Sequence, residues 1–204
     1  TELFEEKLHK TYHDYYSNMK KIMIKDKGNK YGYHLSNEDF YIYITLHEAK
    51  HYKTYGTGIR GLIDCYLILK KEMNNLNWKY IKEELKKLEI EDYEKKRRKL
   101  ALKLFSKVKY PKLTEEENEM LNYYLMSGTY GKYSNFVKGK LKNQSKISYI
   151  LSCVFISRER MNKYLPFTAK SPLLYPLGVV IRFFTLMIKN TKYFKETLRA
   201  IREY

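Results

Sequence analysis

Apolar residues recur along most of this chain at spacings of three and four, the period of a helix with one buried face. From Thr1 to about Ile24 the positions Leu3, Phe4, Leu8, Tyr12, Tyr15, Tyr16 and Met19 follow that period, and the polar, glycine-bearing stretch KDKGNKYGYH then reads as a loop. Ser36 and Asp39 resemble a capping box, in which a hydroxyl accepts the free amides of a first turn and a carboxylate three residues on reaches back. A helix is therefore predicted from about Asn37 to Lys53. The two glycines of KTYGTGIR permit a tight, positive-φ connection before Ile59, Leu62, Ile63, Tyr66 and Leu67 resume the helical period.

Asn77 is placed to cap the next helix, WKYIKEELKKLEI, whose Trp78, Ile81 and Leu85 share a face opposite its Lys and Glu residues. A further helix is predicted from Asp92 to Lys107, with Pro111 as its stop. Thr114 and Glu117 form a second capping box before MLNYYLM, Gly128 terminates that helix, and SGTYGKYSN makes a turn. Beyond it come a basic helix from Asn135 to Lys142 and an apolar run, ISYILSCVFI, that reads as a buried helix. From Pro172 to Ile188 the chain is nearly all apolar, but Pro176 interrupts it and Arg182 sits inside it, which favours a core or interface helix over a membrane span. The tail, KYFKETLRAIREY, is amphipathic and basic.

The fold class that follows is all-α and multi-helix, in three regions. Residues 1–35 form an N-terminal helix and loop, 36–110 a helical domain, and 111–204 a C-terminal helical region. Only four Pro and nine Gly in 204 residues agree with helices rather than a sandwich or barrel. A formal charge of +17 sets up a field that attracts nucleotides, nucleic acid or an anionic membrane surface without choosing among them. Cys65 and Cys153 are too few and too far apart for a disulfide framework or zinc knuckle, so a reducing cytoplasm is expected. The start TELFEEKLHK carries no apolar signal region, and without an initiator Met it is expected to begin a fragment.

His47, Glu48 and His51 spell His-Glu-x-x-His on a predicted helix, where two imidazoles one turn apart could ligate zinc while Glu48 activates water. A zinc hydrolase is thus one reading. The extended metzincin pattern is excluded, because Thr54 and Thr57 stand where it needs Gly and His. Packing or hydrogen bonding is the plainer role for the two histidines. The company they keep points to a site, since His47, Lys50, His51, Gly56, Gly58, Arg60 and Asp64 follow one another closely.

Read as one unit, EDFYIYITLHEAKHYKTYGTGIRGLIDCYLIL resembles the second half of a bacterial family of nucleotidyltransferases in the polymerase-β-like superfamily. The shared pattern is a His (His47), a Lys-His pair (Lys50, His51), a Gly-x-Gly-Ile-Arg loop (Gly56, Gly58, Ile59, Arg60) and then an Asp (Asp64), with Glu48 a variable neighbour. The likeness runs on through NWKYIKEELKKLEI, LTEEENEML, SGTYG and YPLGVVIRF. It implies an upstream α/β domain with a Gly-Ser turn and carboxylates that hold Mg²⁺, two metals polarising the triphosphate and activating the attacking hydroxyl. Here no Gly-Ser turn followed by paired acids on a strand precedes the His47 helix; Glu38, Asp39, Glu91 and Asp92 read as caps and solvated charges.

The expected function is transfer of a nucleotidyl group from an NTP to an acceptor, this chain supplying the helical substrate-side domain and being inactive alone. Its missing catalytic domain would dock against it. Arg60 is expected on phosphate through its forked donors, oriented by Asp64; His47, Lys50 and His51 bind acceptor or nucleotide, or His51 buttresses the Arg60 loop. No catalytic residue and no metal ligand is assigned within the chain. The alternatives are a basic nucleic-acid-binding module, whose charge and tyrosines serve phosphate contact and base stacking, and a partner-binding helical domain using residues 172–188.

Overall fold

A computed structural model describes residues 10–128, 131–169, 171–189 and 191–204. The chain is mostly helical and divides into two compact units, one of residues 1–53 and 57–130, the other of residues 54–56 and 131–204. Among the described residues no helix is long and apolar enough to cross a membrane.

The first unit begins with helix α1 (Lys10–Tyr16) and a 3-10 turn at Met19–Lys21. The predicted first helix is therefore cut short: residues 23–25 form strand β1, paired antiparallel with β2 (Tyr33–Leu35) in the register Met23 to Leu35. Leu3, Phe4 and Leu8 lie outside the described residues. The stretch read as a loop is a hairpin, closed where Asn29 Oδ1 accepts the amides of Tyr31 and Gly32 and where Gly28 takes a φ of 80°. Three-residue strands carry too little alternation to register against a helical background.

Five helices build the core of this unit: α2 (Asn37–Thr54), α3 (Arg60–Glu72), α4 (Trp78–Lys87), α5 (Glu91–Leu104) and α6 (Glu115–Ser127). Tyr41, Ile42, Leu46 and Ala49 of α2 pack with Leu62, Cys65 and Leu69 of α3, Ile81 and Leu85 of α4, Leu100 and Ala101 of α5, and Met120 and Tyr124 of α6. On α3 the buried face is Leu62, Cys65 and Leu69, while the expected Ile63 and Leu67 are exposed. Ser36 Oγ accepts the Asp39 amide as a cap, but the Asp39 carboxylate takes the hydroxyls of Ser36 and Tyr80. Asn77 caps α4 by accepting the Tyr80 amide, and Arg98 lies 4.7 Å over the Trp78 ring, a cation–π contact linking α5 to α4. Helix α5 ends at Leu104, several residues before Pro111.

The second unit contains α7 (Tyr133–Leu141), α8 (Lys146–Val154), α9 (Arg158–Tyr164), 3-10 turns at Pro166–Ala169 and Pro172–Leu174, α10 (Tyr175–Lys189) and α11 (Thr191–Glu203). Val137 and Leu141 of α7 pack on Ala200 of α11 and Tyr149 of α8; Ile156, Met161 and Val179 form a second cluster. Residues 54–56 belong here because Tyr55 O accepts the Lys132 amide at 2.7 Å and the Tyr55 ring stacks on Phe136 at 5.0 Å. The Tyr55 carbonyl leaves no space for a Cβ at Gly131, whose φ is 74°. Thr129 and Tyr130 of the predicted turn lie outside the described residues.

Two apolar runs differ from expectation. Only Tyr149 of α8 is buried, with Ile147, Ile150 and Leu151 exposed, and on α10 Leu177, Val180, Phe184 and Ile188 are exposed along one stripe. Pro176 does not break α10; it occupies the first turn, where its missing amide costs nothing. Arg182 donates from Nη1 to Cys153 O at 2.6 Å, and Tyr175 Oη donates to Ile156 O, so α10 satisfies carbonyls at the end of α8.

The Thr114–Glu117 capping box forms as predicted, with Thr114 Oγ1 accepting the Glu117 amide and Glu117 accepting the Thr114 amide at 2.9 Å. Lys103 at 2.7 Å, helped by that amide and Lys99, holds the Glu117 carboxyl down at about 2, against 4.5 when unfolded. Its contribution is complete above pH 4.5 and lost as pH falls toward 2. Glu117→Gln is expected to flatten the acid limb of a stability-versus-pH curve, and Thr114→Ala to cost about 1 kcal/mol in urea unfolding at neutral pH. An unchanged acid limb would show that the box and lysine contacts are not held in solution.

Candidate substrate-side site

Helix α2 sorts the motif residues by its 3.6-residue period. Tyr41, Ile42, Thr45, Leu46, Glu48 and Ala49 turn inward, and His47 lies on the exposed side with Lys50 and His51 partly covered. The two imidazoles meet edge to face, Nε2 to Nε2 at 3.2 Å, with Tyr43 continuing the row one turn before. Partial burial and the Lys50 charge push both histidines below the ordinary imidazole range, His51 also feeling His47. At neutral pH each ring carries one N–H and one lone pair, which suits one hydrogen bond between them.

Glu48 takes no part in that row. Its Oε2 accepts Arg97 Nη1 at 2.8 Å and its Oε1 accepts the Tyr124 hydroxyl at 2.7 Å, both within the core. Arg97 has no exposed surface, and Tyr93 and Tyr124 share a hydrogen bond at 2.9 Å beside it. A neighbouring layer repeats the device: Glu94 accepts the Tyr41 hydroxyl and Arg98 Nε. The carboxylate that a zinc hydrolase would use on water is therefore occupied as the counter-ion of a buried guanidinium. The zinc-hydrolase reading gains nothing from this geometry.

The loop before α3 brings its own side chain to the surface. Gly56 takes a φ of 85°, whereas Gly58 keeps a negative φ, so only the first glycine supplies the left-handed turn. The Gly61 amide donates to Gly58 O at 3.1 Å, closing the first turn of α3 with Arg60 at its start. Arg60 is 84% exposed, and its Nε lies 3.7 Å from Asp64 Oδ2, itself 53% exposed. Such a solvent-facing pair is held by about 0.2–1 kcal/mol, so a phosphate could take the guanidinium from Asp64 at little cost.

Gly61 is a packing position that the sequence reading missed. A Cβ there would collide with the Glu48 carboxylate, so the glycine lets α3 approach the Glu48–Arg97 pair. The available signal was a glycine in the first turn of a helix, a place where it costs stability unless packing requires it.

The donors present do not fit a two-magnesium centre, which takes oxygen ligands. Two imidazoles are poor partners for it, Glu48 is engaged with Arg97, and Asp64 faces the Arg60 guanidinium. Among the described residues no group of three or more His, Cys, Asp or Glu side chains is arranged to hold a metal ion.

The model of a family described as uncharacterised nucleotidyltransferase matches residues 2–106, about half of the chain, and this span contains α2, the glycine loop, Arg60 and Asp64. No curated protein and no solved structure matches.

Gly61→Ala is expected to push the Glu48 carboxylate off Arg97 and destabilise the fold by about 2–4 kcal/mol, well beyond the helix-propensity gain of about 1 kcal/mol. Chemical denaturation measures this; a stabilised Gly61→Ala would contradict the close approach. Because both histidines titrate below their unfolded value of 6.5, their contribution is present above pH 6.5 and lost as pH falls through the lower folded values. Replacing His47 and His51 by Gln should remove that slope from thermal stability measured across pH 5–7.

Proposed function

This chain belongs to that nucleotidyltransferase family, and we propose that it serves transfer of a nucleotidyl group from an NTP to an acceptor as the helical, substrate-side part of the enzyme. In this reading the metal-holding carboxylates come from an α/β domain outside these residues, which brings Mg²⁺ with it. The chain by itself binds substrate without transferring it.

The observation that carries the reading is the exposed, loosely held guanidinium of Arg60 at the head of α3, inside the matched residues. Its planar fork takes two phosphate oxygens at once, a geometry that an ammonium cannot copy. Asp64 orients it from one turn on, and Gly58, two residues before Arg60, carries no side chain. Lys50 adds a second cation on the α2 side, with His47 and His51 as neutral hydrogen-bonding groups for nucleotide or acceptor. The unpaired cysteines agree with a reducing cytoplasm.

A second reading, docking of another protein or of the catalytic domain, draws on the exposed stripe of Leu177, Val180, Phe184 and Ile188 on α10, an unusual face to leave in water. Sedimentation of the chain with Val180→Glu and Phe184→Glu tests it: self-association or domain capture that disappears would support docking, and an unchanged monomer would not.

For the main reading, calorimetric titration with each NTP, with and without Mg²⁺, should show binding that Arg60→Ala weakens about tenfold or more and Arg60→Lys restores only in part. Equal affinity in Arg60→Ala would remove Arg60 from the site. Steeply salt-dependent RNA binding without nucleotide preference would favour the nucleic-acid module instead.

A further inference from the structure

The second unit forms an open pocket of about 680 Å³ among α7, α8, α9, α10 and α11, within the size range of small-molecule sites of roughly 300–1,000 Å³. It lies wholly in residues 133–201, beyond the span that the family model matches. Its walls are aromatic to an unusual degree, with Tyr133, Phe136, Tyr149, Phe183, Tyr193 and Phe194 all contributing rings. Rings of this kind give a flat aromatic guest offset-stacked and edge-to-face contacts worth more than area alone.

The polar part of the lining has one sign. Lys140, Arg160 and Arg182 reach the cavity, and among the described residues no Asp or Glu lines it. None of the ion pairs formed among the described residues engages these three cations. Arg182 is aimed by its bonds to Cys153 O and Val154 O, which occupy Nη1 and leave its other donors. Lys140 lies 5.6 Å over the Phe136 ring, a cation already associated with an aromatic wall. Ser152 and Gln144 add neutral hydrogen-bonding groups. A cationic guest would meet repulsion with no counter-charge, and a neutral one would leave the arginines unused.

We propose that this cavity binds a small planar aromatic molecule carrying one anionic group, a carboxylate or a phosphate monoester. The ring packs between the aromatic side chains, and the anion lies among Lys140, Arg160 and Arg182. The site stands independently of any role for Arg60.

Cys153 lines the cavity and is partly exposed, whereas Cys65 is fully buried in the other unit, so alkylation of Cys153 by iodoacetamide reads occupancy of this place alone. With the whole chain, 1-naphthyl phosphate and 1-naphthoate should each bind one per chain and slow Cys153 alkylation, followed by peptide mass spectrometry, by about tenfold or more at saturation. Comparing the two separates phosphate from carboxylate preference, and either one supports the site. Neutral 1-naphthol should bind about tenfold more weakly, and inorganic phosphate alone should give no protection. Arg160→Glu, at an exposed position, should weaken the anions without weakening naphthol, and Ser152→Trp should abolish binding by filling the space, with circular dichroism confirming that both remain folded. Equal protection by naphthol, stronger protection by ATP, or no protection by either anion would each overturn the proposal.

Discussion

The first unit depends on one buried ion pair. Arg97 is enclosed on all sides, and Glu48 supplies its counter-charge from 49 residues away in sequence. Burial alone would drive the guanidinium toward its neutral form, but Glu48 opposes that and keeps it charged. Arg97 Nε and Nη2 have no hydrogen-bond partner, and the group leans on the Tyr41 ring at 5.8 Å instead. Cys65 faces the same charge, burial raising its thiol pKa while Arg97 opposes the rise. Such a pair adds little net stability over an apolar substitute, yet losing one partner leaves a charge in a medium that cannot solvate it. Its value is positional, because it fixes the rotation of α2 against α5 and, through Gly61, the depth to which α3 seats.

The surface chemistry follows from that rotation. Successive residues on a helix point about 100° apart, so turning Glu48 inward leaves His47 outward, with His51 one turn along. Seating α3 against Glu48 places Arg60 at the rim of the same helix pair, where its pairing with Asp64 is weak enough to yield to a phosphate. The motif is thus two-sided: one carboxylate builds the core, and the flanking His47, Lys50 and His51 lie toward the surface.

Much of this was legible in the sequence because local chemistry fixed it. The caps at Asn77 and Thr114, and the helices from Asn37 to Ser127, rest on contacts within a few residues and on a clear apolar period. The 23–35 hairpin was not, since each strand has three residues and its register is set by a Gly-Asn turn rather than by alternation. The burial of Glu48 was also invisible: its partner stands in EKKRRK, a run that reads as a solvated face, and only tertiary packing turns Arg97 inward. Apolar periodicity in 146–154 and 175–189 reported correctly that helices form there, but periodicity cannot say what covers a face, and both leave apolar residues in water. The cavity of the second unit drew its lining from five helices and had no local signature at all.

The most direct test of the central claim, that Glu48 is the counter-ion of Arg97 and not a chemical group, is a double-mutant cycle by urea denaturation with Glu48→Gln and Arg97→Met. Each single change should cost about 3–5 kcal/mol, and the double change should cost clearly less than their sum, because removing both charges relieves the penalty of stranding either. Additive losses, or a Glu48→Gln protein of unchanged stability, would contradict the account and return Glu48 to the histidine motif as a working group.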